Sequence, residues 1–530
     1  MIELRPETPC AECGSLLHVK KTATRPVKTP SGVRKVHEAS CACPVHRKLI
    51  RHPPITPPRS PYTFGLIAEL GMLRYLKHRQ ISEICALMDG RGVHVPARTA
   101  DWLCRLFLRY FTAVHLESAP AIRAMLERQG GYVFILDGTG HHGPMVMQMR
   151  DGWSGLQLLA SSVKLESDDE IIPNLRMLRE MFGEPVAAVR DMGTGETSAL
   201  KRVFPGMYVI TCHFHFLRAA GWKLFEPIYP RFRSKIERRG LKKRLRYLMR
   251  VIARGDYTGR DAEHTLELLK WIFNYRKDGK GISYPFSLPA LDFYIRCEKV
   301  RCEMMEKADM EGQRRGNAPR RLLVLLNRLH PPPKSLDSIY ADAEALLERV
   351  EWFDRIRRML RYRNGPIPLS TRHTLSDTAL EKGRSRLDWL HSVIEKELES
   401  RDAKRRELHR VLRSIDSDLI ERREELLAPN VVVETENEPV VRPLPRTISS
   451  AETEFRQLRR HSRRITGNAH VDGQVQNDGP GMLLLDNLKN KAYVREVYGS
   501  LKEMPALFSA VSRDSLESAK KILRCAGRNE

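Results

Sequence analysis

The sequence predicts a multidomain α+β protein: a small cysteine-bearing module, a helical DNA-binding-like pair, and an α/β core interrupted by a large all-α insertion. Three observations carry that prediction. The 530 residues correspond to three or four domains at roughly 100–200 residues each. Four of the ten cysteines crowd into the first 43 residues. The spacing of apolar residues is helical before residue 130, strand-like from there to about residue 212, and helical again beyond it.

Composition narrows the function classes. Hydrophobic residues at 42% and charged residues at 29% exclude a mostly disordered or fibrous chain. No apolar run approaches the ~20 residues that span a bilayer, and Met1-Ile-Glu-Leu-Arg-Pro offers no hydrophobic segment for a signal peptide. A cytoplasmic location without membrane partners is the expectation. The 90 Lys+Arg against 65 Asp+Glu leave a formal charge of +25. Such an excess points to a polyanionic partner, because each neutralised phosphate releases counterions.

The first module, residues 1–52, contains Cys10-Ala-Glu-Cys13-Gly, a β-prone basic stretch, then Cys41-Ala-Cys43-Pro-Val-His46. Two close-set pairs of soft ligands suit a structural zinc ion, whose tetrahedral closure stabilises a fold too small to hold itself. A zinc ribbon is expected, with four of Cys10, Cys13, Cys41, Cys43 and His46 as ligands. The second pair is irregular, so the last ligand stays open between Cys41 and His46.

After the Pro-rich joint His52-Pro-Pro-Ile-Thr-Pro-Pro-Arg-Ser-Pro61, residues 62–115 read as helices. Apolar periodicity runs over 62–76 and 81–88, a turn holds Gly90 and Gly92, and Pro96 opens a helix through Thr99, Trp102, Leu103, Leu106 and Leu108. A helix-turn-helix would aim Arg98, Thr99 and Arg105 at a DNA groove.

Residues 130–218 change character. Gly131-Tyr-Val-Phe-Ile-Leu-Asp137-Gly-Thr-Gly140 is a short strand-like run ending in an aspartate, and further strands are expected near 145–149 and 155–163. A helix over 170–182, the run Pro185-Val-Ala-Ala-Val-Arg-Asp191, a helix to Phe204 and a strand over 207–212 follow. Strand, strand, strand, helix, strand, helix, strand is the order of an RNase H-like fold. In that topology the strands ending at Asp137 and Asp191 lie side by side, and paired carboxylates at such range favour a divalent cation between them. Gly193-Thr-Gly-Glu-Thr-Ser lacks a Gly-Lys-Ser/Thr and reads as a strand-to-helix turn rather than a phosphate loop. Asp151 reads as a hairpin turn, and Asp168-Asp169-Glu170 as a helix start.

Asp191-Met-Gly-Thr-Gly, Phe204-Pro-Gly and Cys212-His-Phe-His215-Phe-Leu-Arg218 resemble the second half of the catalytic core of DDE transposases. The nearest group is the Mutator-like enzymes and their bacterial insertion-sequence relatives, in which a C-x-x-H motif follows the strand after the second aspartate. The resemblance covers most of the chain at family level. It implies an end-binding zinc ribbon and helix-turn-helix, DNA transposition as the activity, a homo-oligomer on double-stranded DNA in a bacterial nucleoid, and a glutamate on a helix after an insertion. Cys212 and His215 would support the core or contact DNA.

Residues 219–430 read as that helical insertion. Residues 231–250 hold ten Lys/Arg and one acid, Glu237, a balance suited to a phosphate backbone, with Lys242, Lys243 and Arg244 at its centre. Leu387, Leu390, Ile394, Leu408, Leu412, Ile415 and Leu419 suggest a helical hairpin or one long coiled coil. An acidic, Val- and Pro-containing linker comes next, through residue 448.

Residues 449–470, Ser449-Ser-Ala-Glu452-Thr-Glu454-Phe-Arg-Gln-Leu-Arg-Arg-His-Ser-Arg-Arg-Ile-Thr-Gly467, resemble the family's final Arg-rich helix. The best register puts the catalytic acid at Glu452, with Glu454 as competitor; Ser449-x-x-Glu452 is equally a capping box. Five arginines in nine residues, among them Arg459, Arg460 and Arg463, call for an anion alongside. Asp137, Asp191 and Glu452 have the oxygen donors that Mg²⁺ or Mn²⁺ prefers. Asp137 would bridge two ions while Asp191 and Glu452 each fix one, the arrangement for in-line cleavage and strand transfer. Two other readings use the same residues: an RNase H-like structure-specific nuclease, and an inactive or domesticated transposase that only binds DNA. Residues 471–530 read as a helical tail without a role.

Overall fold

The computed structural model describes residues 1–6, 9–139, 145–274, 284–311, 317–329, 339–362, 373–435, 438–467, 475 and 478–524, with backbone alone at 139, 307–311, 317 and 449–454. The protein is mixed α/β, with three sheets among the described residues. It forms two compact units: Met1–Ile210 with Asn430–Glu530, and Thr211–Pro429. Among the described residues no helix is long and apolar enough to cross a membrane.

The first unit begins with a small sheet. β1 (Ile2–Leu4) runs parallel to β3 (Gly32–Ala42), which pairs antiparallel with β2 (His18–Thr29) and with β4 (Leu49–Arg51). Its own buried apolar cluster is Leu4, Val27 and Val36. Helices come next: α1 (Phe64–Gly71), capped by the Thr63 hydroxyl, which accepts from the Leu66 amide at 3.2 Å; α2 (Ile81–Asp89), opened by a capping box of Gln80 and Glu83; α3 (Ala97–Glu117); and α4 (Ala119–Arg128). Pro96 is the residue before α3 rather than a member of its first turn. Leu103, Phe107, Phe111 and Val114 recur at three- and four-residue spacing on α3 and are buried in the main core.

The large sheet is built from β5 (Val133–Thr139), β6 (Met145–Asp151), β7 (Gln157–Val163), then α5 (Asp168–Phe182), β8 (Ala187–Arg190), α6 (Thr194–Val203) and β9 (Tyr208–Thr211). Its order is β7-β6-β5-β8-β9. β6 is antiparallel to both β5 and β7, whereas β5 and β8 are parallel with Ile135 opposite Val189. Asp151 closes the β6–β7 turn: its carboxylate accepts from the amides of Val133, Trp153 and Ser154 and from the Gln129 side chain.

One stretch differs from its sequence expectation, and another, expected as a helical tail, is helical where described but has a structural role. The expected linker contains a hairpin, β10 (Val431–Glu434) against β11 (Pro439–Arg442), with Val431 opposite Arg442. Three consecutive valines and a Val-Val pair supply β-branched surface that outweighs the acids and prolines. Val433 lies against Gly130, the Trp153 indole donates to the Pro443 carbonyl at 3.0 Å, and Arg442 stacks 4.1 Å over the Trp153 ring. The segment beyond residue 471 is no appendage. A 3₁₀ stretch (Pro480–Lys489) lies along β7, an edge strand, and Asn487 closes that edge: its Oδ1 accepts from the Gln157 amide and its Nδ2 donates to the Gln157 carbonyl, both at 2.8 Å. Buried His115 bridges the Leu158 carbonyl (2.9 Å) and the Tyr493 hydroxyl (3.0 Å).

The secondary structure of the second unit is helical but for Thr211, the end of β9, and an isolated bridge residue at 374, among the described residues, and it begins with α7 (His213–Phe225), α8 (Tyr229–Arg238) and α9 (Leu241–Ala253). α10 (Asp377–Leu398) and α11 (Arg406–Glu421) form a helical hairpin that breaks at Ser400–Asp402. Leu387, Leu390, Ile394, Leu408, Leu412, Ile415 and Leu419 are all buried.

Asn487→Leu removes both edge bonds and orphans a buried amide and carbonyl, each worth about 1–3 kcal/mol. Urea unfolding followed by circular dichroism should show that loss in the first unit, and an unchanged midpoint would exclude the edge-closing role.

Candidate metal centres and cationic surfaces

The N-terminal sheet buries too few apolar side chains to hold itself, so the joining of its turns matters. Cys10, Cys13, Cys43 and His46 each place one ligand atom within 4.8 Å of the others. The Cys10 and Cys43 sulfurs lie 3.6 Å from His46 Nδ1, and Cys13 Sγ lies 3.5 Å from Cys43 Sγ. Tetrahedral bonds of about 2.3 Å to sulfur and 2.0–2.1 Å to nitrogen demand edges of roughly 3.6–3.8 Å. The group therefore fits a structural metal such as zinc. Both turns share one design: Cys10-x-x-Cys13 is followed by Gly14 at φ 69° and Cys43-x-x-His46 by Arg47 at φ 54°. The backbone thus curls around each pair. Amides of Glu12 and Cys13 hold the Cys10 thiol down at about 6 and the Ser15 hydroxyl lowers Cys13, whereas Cys43, despite the His46 amide, is raised by burial and by its Cys13 and Cys10 neighbours. Cys41 is not in the group; it is buried in β3, opposite Val19 and Ile50. The choice left open by the sequence thus falls to His46.

A second group lies in the large sheet. β5 and β8 run parallel in register as far as Ile135 opposite Val189; Asp191 directly follows β8, whereas Asp137, expected at a strand end, lies within β5 opposite Gln148 of β6, because the strand continues to Thr139. Around Asp191 the structure adds two acids that sequence reasoning passed over. Glu166, on the loop after β7, and Glu196, in the first turn of α6, each place a carboxylate oxygen within 4.8 Å of Asp191 and of one another. The glycines of the Gly193-Thr-Gly stretch allow this. A Cβ on Gly195 would lie 2.2 Å from the Glu166 carbonyl oxygen, and one on Gly193 would lie 2.9 Å from Asp191 Oδ1. The Gly193 amide donates to that same oxygen at 2.6 Å. Asp191 is half-buried, Glu166 exposed and Glu196 buried. Burial first, then the charges of Asp191, Glu166 and Asp137, push the Glu196 carboxyl well above its usual range. Burial and the Asp191 charge also raise Glu166. The signal available in the sequence was Gly195 itself, a glycine inside a helical first turn, where a close neighbour is its usual reason.

Glu452 and Glu454 lie on α12 (Ser449–Thr466), which packs against β5; their side chains fall outside the described residues. The rest of α12 is two-faced. Phe455, Ser462 and Ile465 are buried, whereas Arg456, Arg459, Arg460 and Arg463 are exposed and make no ion pair among the described residues. Arg464 donates to the His78 carbonyl at 3.2 Å. On α3, Arg98 is exposed, Thr99 half-buried, and Arg105 pairs with Asp101 at 2.6 Å.

In the second unit the basic stretch proves partly internal. Arg231 and Lys235 both reach buried Asp342, at 3.1 and 3.0 Å, and Arg233 pairs with Glu237. Lys242 sits 4.8 Å over the Phe293 ring. Lys243 and Arg244 are exposed. Cys212 is buried just before α7, and His215 is half-buried beside the Phe214 ring. The buried histidine is their neighbour His213, which contacts His373 Nε2 at 3.2 Å and the Leu426 carbonyl at 2.8 Å. Among the described residues Cys212 and His215 join no metal-like group.

Both groups lead to measurable outcomes. Elemental analysis of purified protein should find that His46→Ala and Cys43→Ser lose the bound metal while Cys41→Ala keeps it; metal loss from Cys41→Ala alone would reverse the ligand assignment. Glu196, raised from an ordinary value of 4.5, favours the folded state while protonated, and that contribution is lost as pH climbs through its folded value. In EDTA, wild type should therefore lose stability as pH rises above 4.5 towards the raised folded value, by at most about 1.4 kcal/mol per pH unit per group. Glu196→Gln should flatten the slope in urea titrations run across a pH series above 4.5, and an unchanged slope would show that the buried carboxyl is not its source. No protein-family model matches the chain and no curated protein aligns with it, so the reading of both centres rests on their own residues.

Proposed function

We propose that the chain is a DNA transposase of the DDE type, binding DNA ends and carrying out metal-dependent cleavage and strand transfer. One observation carries the reading: the carboxylates of Asp191, Glu166 and Glu196 gather just beyond β8, whose parallel neighbour β5 carries Asp137, within a chain of charge +25. The order of three antiparallel strands, helix, strand, helix and strand, with β5 beside β8, supports an RNase H-like core.

Carboxylate oxygens suit Mg²⁺ or Mn²⁺ and not a soft ion. Asp137 and Asp191 would hold the ions, with Glu452 as the third acid on the helix that packs against β5. Bound there, divalent ions supply a more nucleophilic attacking oxygen and charge neutralisation at the leaving one. Arg459, Arg460 and Arg463 would grip phosphates beside those acids. Arg98 and Arg105 on α3 would face the terminal duplex, as would Lys242, Lys243 and Arg244 of the second unit. Zinc is the metal that fits Cys10, Cys13, Cys43 and His46, which would stiffen the end-binding module. Pairing of two DNA ends calls for a homo-oligomer on DNA.

The test incubates purified protein with linear duplexes carrying the DNA that flanks its own coding sequence, plus Mg²⁺ or Mn²⁺. Wild type should nick and join these duplexes, and Asp137→Asn or Asp191→Asn should each lower the rate by about 10²–10³-fold, the size typical of losing one charge-stabilising group. Replacing Arg459, Arg460 and Arg463 by Ala should flatten the dependence of log affinity on log salt by about 0.9 per lost phosphate contact. Cleavage that survives both aspartate substitutions would reject the reading, and nicking without joining would point to a nuclease.

A further inference from the structure

We propose that Glu166 and Glu196 are metal ligands alongside Asp191, forming a site for a divalent, oxygen-preferring cation that the family resemblance does not assign. The inference deepens the metal-dependent reading above and rests on it for its role, though not for its chemistry. Each of the three acids offers an oxygen within 4.8 Å of the other two.

The independent observation is Glu196. It is 1% exposed, and its Oε2 makes no hydrogen bond among the described residues. A buried carboxylate normally pairs with a cation or with several donors. The charges acting on Glu196 are instead Asp191, Glu166 and Asp137, all acids. This occurs in a chain with 90 Lys+Arg, any of which would have served as a counter-charge. The carboxyl group is therefore neutralised either by a proton held within the cluster or by a cation from solution, and a cation is the partner that satisfies all three acids at once. Three carboxylates make a hard, all-oxygen donor set, which selects Mg²⁺, Mn²⁺ or Ca²⁺ over ions that seek sulfur or imidazole.

The local backbone is shaped for this grouping. Gly195 lets the Glu166 carbonyl approach to where a Cβ would sit at 2.2 Å, and Gly193 keeps clear a space 3.2 Å from Glu166 Oε1. The ligands are graded in depth, from buried Glu196 through half-buried Asp191 to exposed Glu166. The site thus opens to solvent on the Glu166 side, where water or a phosphate oxygen can complete the coordination shell.

The experiment titrates Mn²⁺ into the purified full-length chain and follows free Mn²⁺ by electron paramagnetic resonance. Glu196→Gln and Glu166→Gln should each weaken binding by about tenfold or more, while Asp169→Asn, a surface acid with a side chain 88% exposed, should match wild type. Unchanged affinity in both glutamine variants overturns the proposal. Should Glu196→Gln fail to fold, exposed Glu166→Gln decides alone, and wild-type affinity in it overturns the site. DNA cleavage separates the two claims. Weakened Mn²⁺ binding in a protein that never cuts DNA keeps the site and removes the transposase reading. Cleavage by a protein whose Mn²⁺ affinity ignores both substitutions keeps that reading and removes the site.

Discussion

Like-charge crowding just beyond β8, beside β5, is the constraint that the first unit is built to withstand. Two unit charges 4 Å apart repel by about 4 kcal/mol at an effective dielectric near 20, and here Asp191, Glu166 and Glu196 share one small volume, with Asp137 on the neighbouring strand β5. Nothing local could hold that arrangement alone. Phe134, Ile135 and Leu136 run directly into Asp137, and Ala187, Ala188 and Val189 lead to Asp191, every one of them buried. Burial fixes the strands, the strands fix the carboxylates, and the amides at the start of α6 offset part of the repulsion, as the Gly193 amide does at Asp191. A bound cation would complete a balance that the apolar sheet otherwise maintains at a cost.

The same rigidity explains how the first unit tolerates a 219-residue excursion, Thr211–Pro429, within its sequence. Loop-closure entropy grows only with the logarithm of length, so the cost of the excursion is modest if its far end is firmly tied. The β10–β11 hairpin and the segment C-terminal to it form that tie. Val433 fills the space over Gly130, Arg442 covers the Trp153 ring, and Asn430 Oδ1 accepts from the Leu444 amide at 3.0 Å. Phe455 then enters the main core and brings the Arg-rich helix against β5. Asn487, farther on, closes the opposite edge of the sheet. The returning segment is thus part of the frame that keeps the acids together.

Features set by short-range pattern were legible in the sequence. The order of strands and helices in residues 133–211, the aspartate that follows β8, and the paired cysteine turns all arise from residue type and spacing over a few positions, whereas β5 runs two residues past the Asp137 expected to end it. Features set by distant encounters were not. Glu166 sits beside Ser167-Asp168-Asp169-Glu170, which reads as a helix start, and Glu196 lies in a turn that mimics a phosphate loop; only the approach permitted by Gly195 unites them. Charge counting over residues 231–250 likewise missed Asp342, which takes up Arg231 and Lys235 from 111 and 107 positions away in the chain. The hairpin at 431–442 was hidden because neither valine run is a strand without the other.

The two charge populations of the first unit differ in how salt reaches them. Exposed charges are screened over about 10 Å at 0.1 M salt, and the guanidinium groups of Arg456, Arg459, Arg460 and Arg463 stand on the outer face of α12. Glu196 is buried and its interactions with Asp191 and Glu166 pass through protein, where screening is weak. Ionic strength can therefore loosen a polyanion from the helix without dissolving the demand for a cation at the carboxylates. α12 joins the two regimes, since its Phe455 and Ile465 side is buried while its arginine side meets solvent. Grip on a phosphate chain and retention of a metal would thus be governed by different physics within one compact unit.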